Sequence, residues 1–161
     1  MRRAQFLLLL LLAGCGFQLR GSYPLPFTTV YIALPQEAEL HAVLKRAIVA
    51  GSSAKVVDSP QEAQVSLTVL ADVQAKNILS ITAAGRAREF QLVRNFSFRV
   101  ADKDGHDWLA ANQIVLRRDI SFNDDQVLSK EAEEGLLWRD IQNDLVQQVL
   151  RRLAAAKPPP A

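Results

Sequence analysis

The sequence predicts an α+β fold, a two-layer sandwich with two helices packed on one face of a mainly antiparallel sheet. Three observations predict it. From Val65 to Phe122 the chain alternates apolar and polar residues and is interrupted by two turn signals. The stretch that follows, as far as Leu153, is free of proline and carries Leu137, Ile141, Leu145, Val149 and Leu153 at i, i+4 spacing. A shorter stretch near the start, Leu40, Leu44, Ala47 and Ile48, has the same period. A sheet with one apolar face and a helix on either side of it in sequence buries that face most simply as two layers.

The elements follow in order. Residues 28–34, TTVYIAL, are β-branched and apolar and predict a short strand. Pro35 suits the start of the first helix and Gly51 its close. A short strand is expected at residues 54–57. In the first long strand the odd positions Val65, Leu67, Val69, Ala71, Val73, Leu79 and Ile81 are apolar, with Ser66, Thr68, Asp72, Gln74 and Lys76 between them. Odd positions are therefore expected to face the helices. After Ala84-Gly85, Phe90, Leu92, Phe96, Phe98 and Val100 alternate with polar residues. Asp102-Lys103-Asp104-Gly105 contains the Asp-Gly pair of a tight reversal, and Trp108, Ala110, Ile114, Leu116, Ile120 and Phe122 form one side of a third strand. These strands make an antiparallel meander. Asn123-Asp124-Asp125 can cap the last helix. Residues 28–154 are expected to be a single domain, and the proline-rich tail 155–161 to be disordered.

The N-terminus has a different logic. Arg2 and Arg3 precede an apolar run that ends in LLLLAGCG, residues 9–16, and the run is too short to span a bilayer. Residues 1–14 thus read as a signal peptide. Leu12-Ala13-Gly14-Cys15 resembles the lipobox of bacterial lipoproteins, which implies that Cys15, the only cysteine, receives lipid. A thiolate is the nucleophile this acylation needs. The other reading is a buried free thiol. Each buried methylene of an acyl chain adds about 0.8 kcal/mol of membrane affinity, so three chains anchor a protein stably. Residue 16 is Gly where inner-membrane retention in enteric-type lipoproteins uses Asp, which implies the periplasmic leaflet of the outer membrane. Residues 15–27, rich in Pro and Gly, form the lipidated leader.

Composition excludes several functions. The chain has 19 Lys+Arg against 17 Asp+Glu, but Arg2 and Arg3 belong to the signal peptide, so the mature body is balanced. Nucleic acid is not an expected partner. No disulfide framework is possible, and the core must suffice. His41 and His106 stand in neither an HExxH nor a His-x-His context, and no glycine-rich loop opens a helix, so no catalytic residue, metal or cofactor is expected. Glu131, Glu133 and Glu134 fit compensation of a helix macrodipole better than acid–base chemistry. Arg86, Arg88, Arg94, Arg99, Arg117 and Arg118 lie on the second and third long strands. They read either as solvated residues of an open sheet face or as recognition of anionic groups such as phosphate. Ile78, Leu79 and Ile81 beside Arg86 and Arg88 would place acyl- and phosphate-compatible groups on one hairpin tip.

CGFQLRG at residues 15–21, GRAREFQL at 85–92 and RRDISFNDDQVLSKEAEEGLLWRDIQNDLVQQVLRRL at 117–153 together resemble the LptE family of lipopolysaccharide-assembly lipoproteins. The resemblance runs through the mature chain in order. It implies a non-enzymatic plug in the lumen of the outer-membrane barrel LptD, which helps that barrel fold and aids insertion of lipopolysaccharide into the outer leaflet. A plug in a polar lumen should have a hydrophilic exterior. The resemblance carries over Cys15 for lipidation, Phe17 and Arg20 in the leader, and Lys130 for lipopolysaccharide contact. The family's basic residue at the hairpin tip has no counterpart at Ala83-Ala84, and Arg86 and Arg88 are the nearest candidates. Lys130 as an i, i+4 partner of Glu134 is the plainer alternative. A stand-alone periplasmic lipid-binding lipoprotein is the other functional reading.

Overall fold

The computed structural model describes residues 23–122 and 127–159. Strand β1 (Thr29–Ala33) leads to helix α1 (Glu39–Gly51) and strand β2 (Lys55–Val57). Three long strands follow, β3 (Val65–Ile81), β4 (Ala87–Ala101) and β5 (Asp107–Ser121), and then helix α2 (Val127–Ala154). The sheet has the order β2-β1-β3-β4-β5. β1 runs parallel to β2 and to β3, while β3–β4–β5 is the expected antiparallel meander. Residues 35–38 form a turn, with the Ala38 N–H donating to the Pro35 carbonyl at 3.0 Å, so α1 begins at Glu39 and not at Pro35.

Leu44 and Ile48 of α1 join Ile141, Leu145, Val149 and Leu153 of α2 and Leu92, Phe96, Phe98 and Ile114 of the sheet in one buried cluster. Both helices therefore cover the same face. α2 also buries Val146 and Leu150, which the i, i+4 stripe omits, because α1 lies against its flank.

Along β3, β1 reaches only Val65–Thr68 at its start. Seventeen residues at about 3.3 Å each make β3 about 56 Å long. Its far end and that of β4 project well beyond β1. The base of the molecule holds the start of β1, the end of α1 and the β4–β5 turn. The other end holds the β3–β4 turn and the start of α2.

Two expectations are corrected. The register between β3 and β4 shifts between Val69 and Ala71, so Leu70 is an extra residue, a β-bulge. Beyond it Asp72, Gln74, Lys76 and Ile78 stand opposite Phe96, Arg94, Leu92 and Phe90. Opposed residues share a face, so the polar even positions face the helices and Ala71, Val73 and Ala75 face outward. The uniform odd-inward alternation holds only as far as Val69. The second correction concerns the tail. Ala156 is buried and the Lys157 N–H donates to the Trp108 carbonyl at 3.1 Å, so residues 156 and 157 are tied to the β5 edge and are not disordered. Residues 160–161 lie outside the described residues.

Candidate functional site

At the projecting end the chain reverses over Thr82–Gly85. The Gly85 N–H donates to the Thr82 carbonyl at 2.9 Å, and Gly85 adopts φ +76°, a left-handed conformation that suits glycine. Arg86 follows, its N–H on Thr82 Oγ1 at 3.2 Å, and its side chain is exposed. Arg88 is exposed too, and its carbonyl accepts the Phe122 N–H at 2.7 Å. That bond places the end of β5 beside the start of β4. Ser121, which stands opposite Glu89, then receives Lys130 Nζ on its hydroxyl at 3.4 Å. The fold thus brings Arg86, Arg88 and Lys130, far apart in sequence, to one end of the molecule.

Their environments differ. Lys130 is largely covered, with its side chain 15% exposed, and it pairs with Glu133 at 2.8 Å. Its helical partner is Glu133 at i, i+3, not Glu134 at i, i+4. Glu134 is taken by Lys76, whose Nζ lies 2.6 Å from Glu134 Oε2 and 4.4 Å from the centre of the Phe90 ring. Phe90 meets Phe122 edge to face at 5.8 Å. Ile78, Leu79 and Ile81 are exposed at the tip of the hairpin, and Leu70, Val73, Leu128 and Leu136 are exposed elsewhere. The exterior is less uniformly hydrophilic than a polar lumen predicts.

The six arginines do not form one surface. Arg94, 3% exposed, lies under the helices and grips Asp72 with Nε at 2.8 Å and Nη2 at 2.7 Å. Its Nη1 reaches Gln142 at 3.4 Å, and Gln142 Nε2 reaches Glu39 at 2.8 Å, so one polar chain joins sheet, α2 and α1. Arg118 also faces the helices, with Asp140 at 2.7 Å and Asp144 at 3.3 Å. The Asp140 hydrogen bond, ahead of that from Asp144, holds the Arg118 proton more tightly than usual, against the opposing effect of desolvation. Arg99 pairs with Asp107 near the base at 3.3 Å. Arg94 and Arg118 are fasteners between layers, so the expectation of solvated or anion-binding residues is corrected for both.

Sequence reasoning missed the Lys76–Glu134 pair because it carried the odd-inward pattern of β3 past the bulge at Leu70, and it missed the partners of Arg94 and Arg118 because they lie on other elements. Cys15, Phe17 and Arg20 lie outside the described residues. His41 is buried within α1, whereas His106 sits in the β4–β5 turn with Nδ1 3.4 Å from Asp102. No helix among the described residues is long and apolar enough to cross a membrane.

Fold and site together define a class: a small α+β two-layer domain whose long hairpin outruns β1 and the first helix. Solved structures share it. A lipoprotein B from Nitrosomonas europaea is 38% identical and superposes with a TM-score of 0.75 over 87% of this chain and 91% of that one. A minor lipoprotein from Acinetobacter baumannii, 23% identical, has the same fold, with a TM-score of 0.68 over 85% of this chain and 100% of that one. Among curated relatives, the LPS-assembly lipoprotein LptE of Pectobacterium atrosepticum is 29% identical over 91% of this chain and 80% of its own length. That of Yersinia enterocolitica is 29% identical over 91% of this chain and 72% of its own. The family model LptE, lipopolysaccharide-assembly, matches residues 27–153. The chain belongs to the LptE family of lipopolysaccharide-assembly lipoproteins, which is not a family of enzymes.

Proposed function

We propose that the protein is a non-enzymatic factor of lipopolysaccharide assembly, anchored by lipid on Cys15 in the periplasmic leaflet of the outer membrane. It plugs the lumen of the barrel LptD and aids insertion of lipopolysaccharide into the outer leaflet. The observation that carries this reading is the match of the family model to residues 27–153. The polarity of the molecule supports it. Tyr23, eight residues after Cys15, is fixed at the base by its N–H on the Gly51 carbonyl at 2.7 Å. Arg86, Arg88 and Lys130 lie at the other end with the apolar tip of the hairpin. A tether at one end and phosphate- and acyl-compatible groups at the other suit a protein that works across the thickness of a membrane while remaining attached to one leaflet. Co-purification in mild detergent tests the reading: a large β-barrel should accompany the protein, and recovery as a free monomer alone would overturn it.

A further inference from the structure

A groove of about 370 Å³ runs along the solvent side of the helix layer, between α1 and α2. Val43, Ala47 and Ala50 of α1 and Val146 of α2 line it with apolar groups, and the exposed amides of Asn143 and Gln147 border it. It exists because Ala47 and Ala50 are small; a longer side chain at either place would fill it. Tyr23 crosses its base end. The Tyr23 N–H donates to the Gly51 carbonyl of α1 at 2.7 Å, and the Tyr23 hydroxyl donates to Gln147 Oε1 of α2 at 3.0 Å. After Tyr23 the chain turns inward, with Leu25 partly buried against the core and Phe27 within it. The residues before Tyr23 therefore start from the helix side of the molecule, at the mouth of the groove.

We infer that the leader docks back into this groove with Leu19 as its anchor, and that docking sets the length of the tether. Pattern and distance agree on the residue. Phe17 and Leu19 alternate with Gln18 and Arg20, so an extended leader presents one apolar edge. Four extended residues at about 3.3 Å each carry the chain about 13 Å from Tyr23 to Leu19. Eight helical residues at about 1.5 Å each place Val43 about 12 Å from Gly51. Leu19 thus comes level with Val43 and Ala47. Asn143 and Gln147 stand about 6 Å apart along α2, close to the repeat of about 6.6 Å in an extended strand, and their amides can hydrogen-bond its backbone. Gln18 and Arg20 then point away from the groove, which keeps Arg20 off the exposed Arg46 on its rim. Ordering the leader costs backbone entropy that offsets most of what burying one leucine gains, so the hold is loose and tension on the lipid releases it. Out of the groove, Cys15 ranges as far as about 26 Å from Tyr23; docked, residues 15–18 alone remain as tether, about 13 Å. The attachment at Tyr23 is common to both states. The docking is independent of the proposed function, whereas its use as a tether rests on the lipid at Cys15.

Hydrogen exchange read by mass spectrometry, on the mature lipoprotein in mild detergent, tests the inference. Amides of residues 18–22 should exchange severalfold more slowly than in a free chain. Leu19→Ser, which changes the leader and leaves the core of the domain untouched, should return them to the free-chain rate. Ala47→Gln, which fills the groove, should do the same. Free-chain exchange in the unaltered protein overturns the inference, and so does protection that survives Leu19→Ser. Position also has its own readout: with Leu19 replaced by photoreactive benzoylphenylalanine, crosslinks should fall on residues 43–50 and 143–147, and crosslinks confined to other parts of the chain overturn the groove as the seat. The intact mass of the same preparation separates docking from anchor. Protection without acyl groups on Cys15 keeps the docking and loses the tether, whereas acylated Cys15 without protection loses the docking and leaves the anchor of the proposed function standing.

Discussion

Arg94 and Asp72 face each other beneath the helices with two parallel hydrogen bonds of 2.8 and 2.7 Å, one step past the bulge at Leu70. A bidentate pair of this kind is strong when intact and costly when halved. Asp72→Ala leaves the Arg94 guanidinium buried with only Gln142 for company. It should lower the urea unfolding free energy by about 3–5 kcal/mol, and replacing both residues with leucine should cost much less. Equal losses from the single and double variants would refute a true pairing.

The bulge itself is open to test. Leu70 is half exposed, so Leu70→Ser should change stability by no more than about 0.5 kcal/mol. Deleting Leu70 restores strict alternation, which turns Asp72 and Lys76 outward and Val73 and Ala75 toward the helices. The deletion should break the pairs with Arg94 and Glu134 and cost far more than the substitution, as read by circular dichroism melts of the two variants.

What the sequence declares, and what it hides, follows from the same bulge. Alternation between Phe90 and Val100 predicts β4 well, because both its neighbours and the helices read the same face. On β3 apolar odd positions run to Ala75 and resume at Leu79, but the backbone slips by one residue at Leu70, and its only trace in the sequence is the apolar run Val69-Leu70-Ala71, which a strict odd–even reading passes over. The inward turn of Asp72 and Lys76 was hidden for that reason; Arg94 keeps the inward phase of Leu92 and Phe96, and what was hidden was the carboxylate that the slip brings to it. Arg118 was hidden for another: its partners Asp140 and Asp144 lie on what the helical pattern marks as the wet side of α2. The gathering of Arg86, Arg88 and Lys130 needed the long strands to return β5 to the start of β4, a tertiary fact that no local spacing encodes.

The β4–β5 turn carries a pH dependence. Asp102 Oδ1 accepts the N–H of Asp104 and of His106, each at 2.9 Å. Desolvation, the largest single effect, pushes its carboxyl up, but these N–H groups and the nearby His106 outweigh it and hold the carboxyl below its ordinary 3.8. A carboxylate with a depressed folded value contributes stability that is fully present above the ordinary value and lost as pH falls through the folded one. Amide protection at Asp104 and His106 should therefore persist at pH 5 and decline only below about pH 4, as followed by NMR hydrogen exchange. Loss of protection well above pH 4 would mean that Asp102 does not control the turn.

Charge changes at the hairpin end should separate surface recognition from support of the helix. Arg86→Glu with Arg88→Glu reverses two exposed charges, so lipopolysaccharide affinity should fall about tenfold or more at low salt while barrel association stays unchanged. Lys130 is different, because its ammonium is mostly covered and shared by Ser121 and Glu133. Lys130→Glu sets a carboxylate against Glu133 and should loosen the start of α2 as well as weaken binding. Lys130→Met keeps the aliphatic stem and removes only the charge. If Lys130→Met binds lipopolysaccharide as the unaltered protein does while the double arginine variant does not, Lys130 supports the helix and the arginines carry the contact. The reverse pattern, read by isothermal titration on the same preparations, would assign the contact to Lys130 and not to the two arginines.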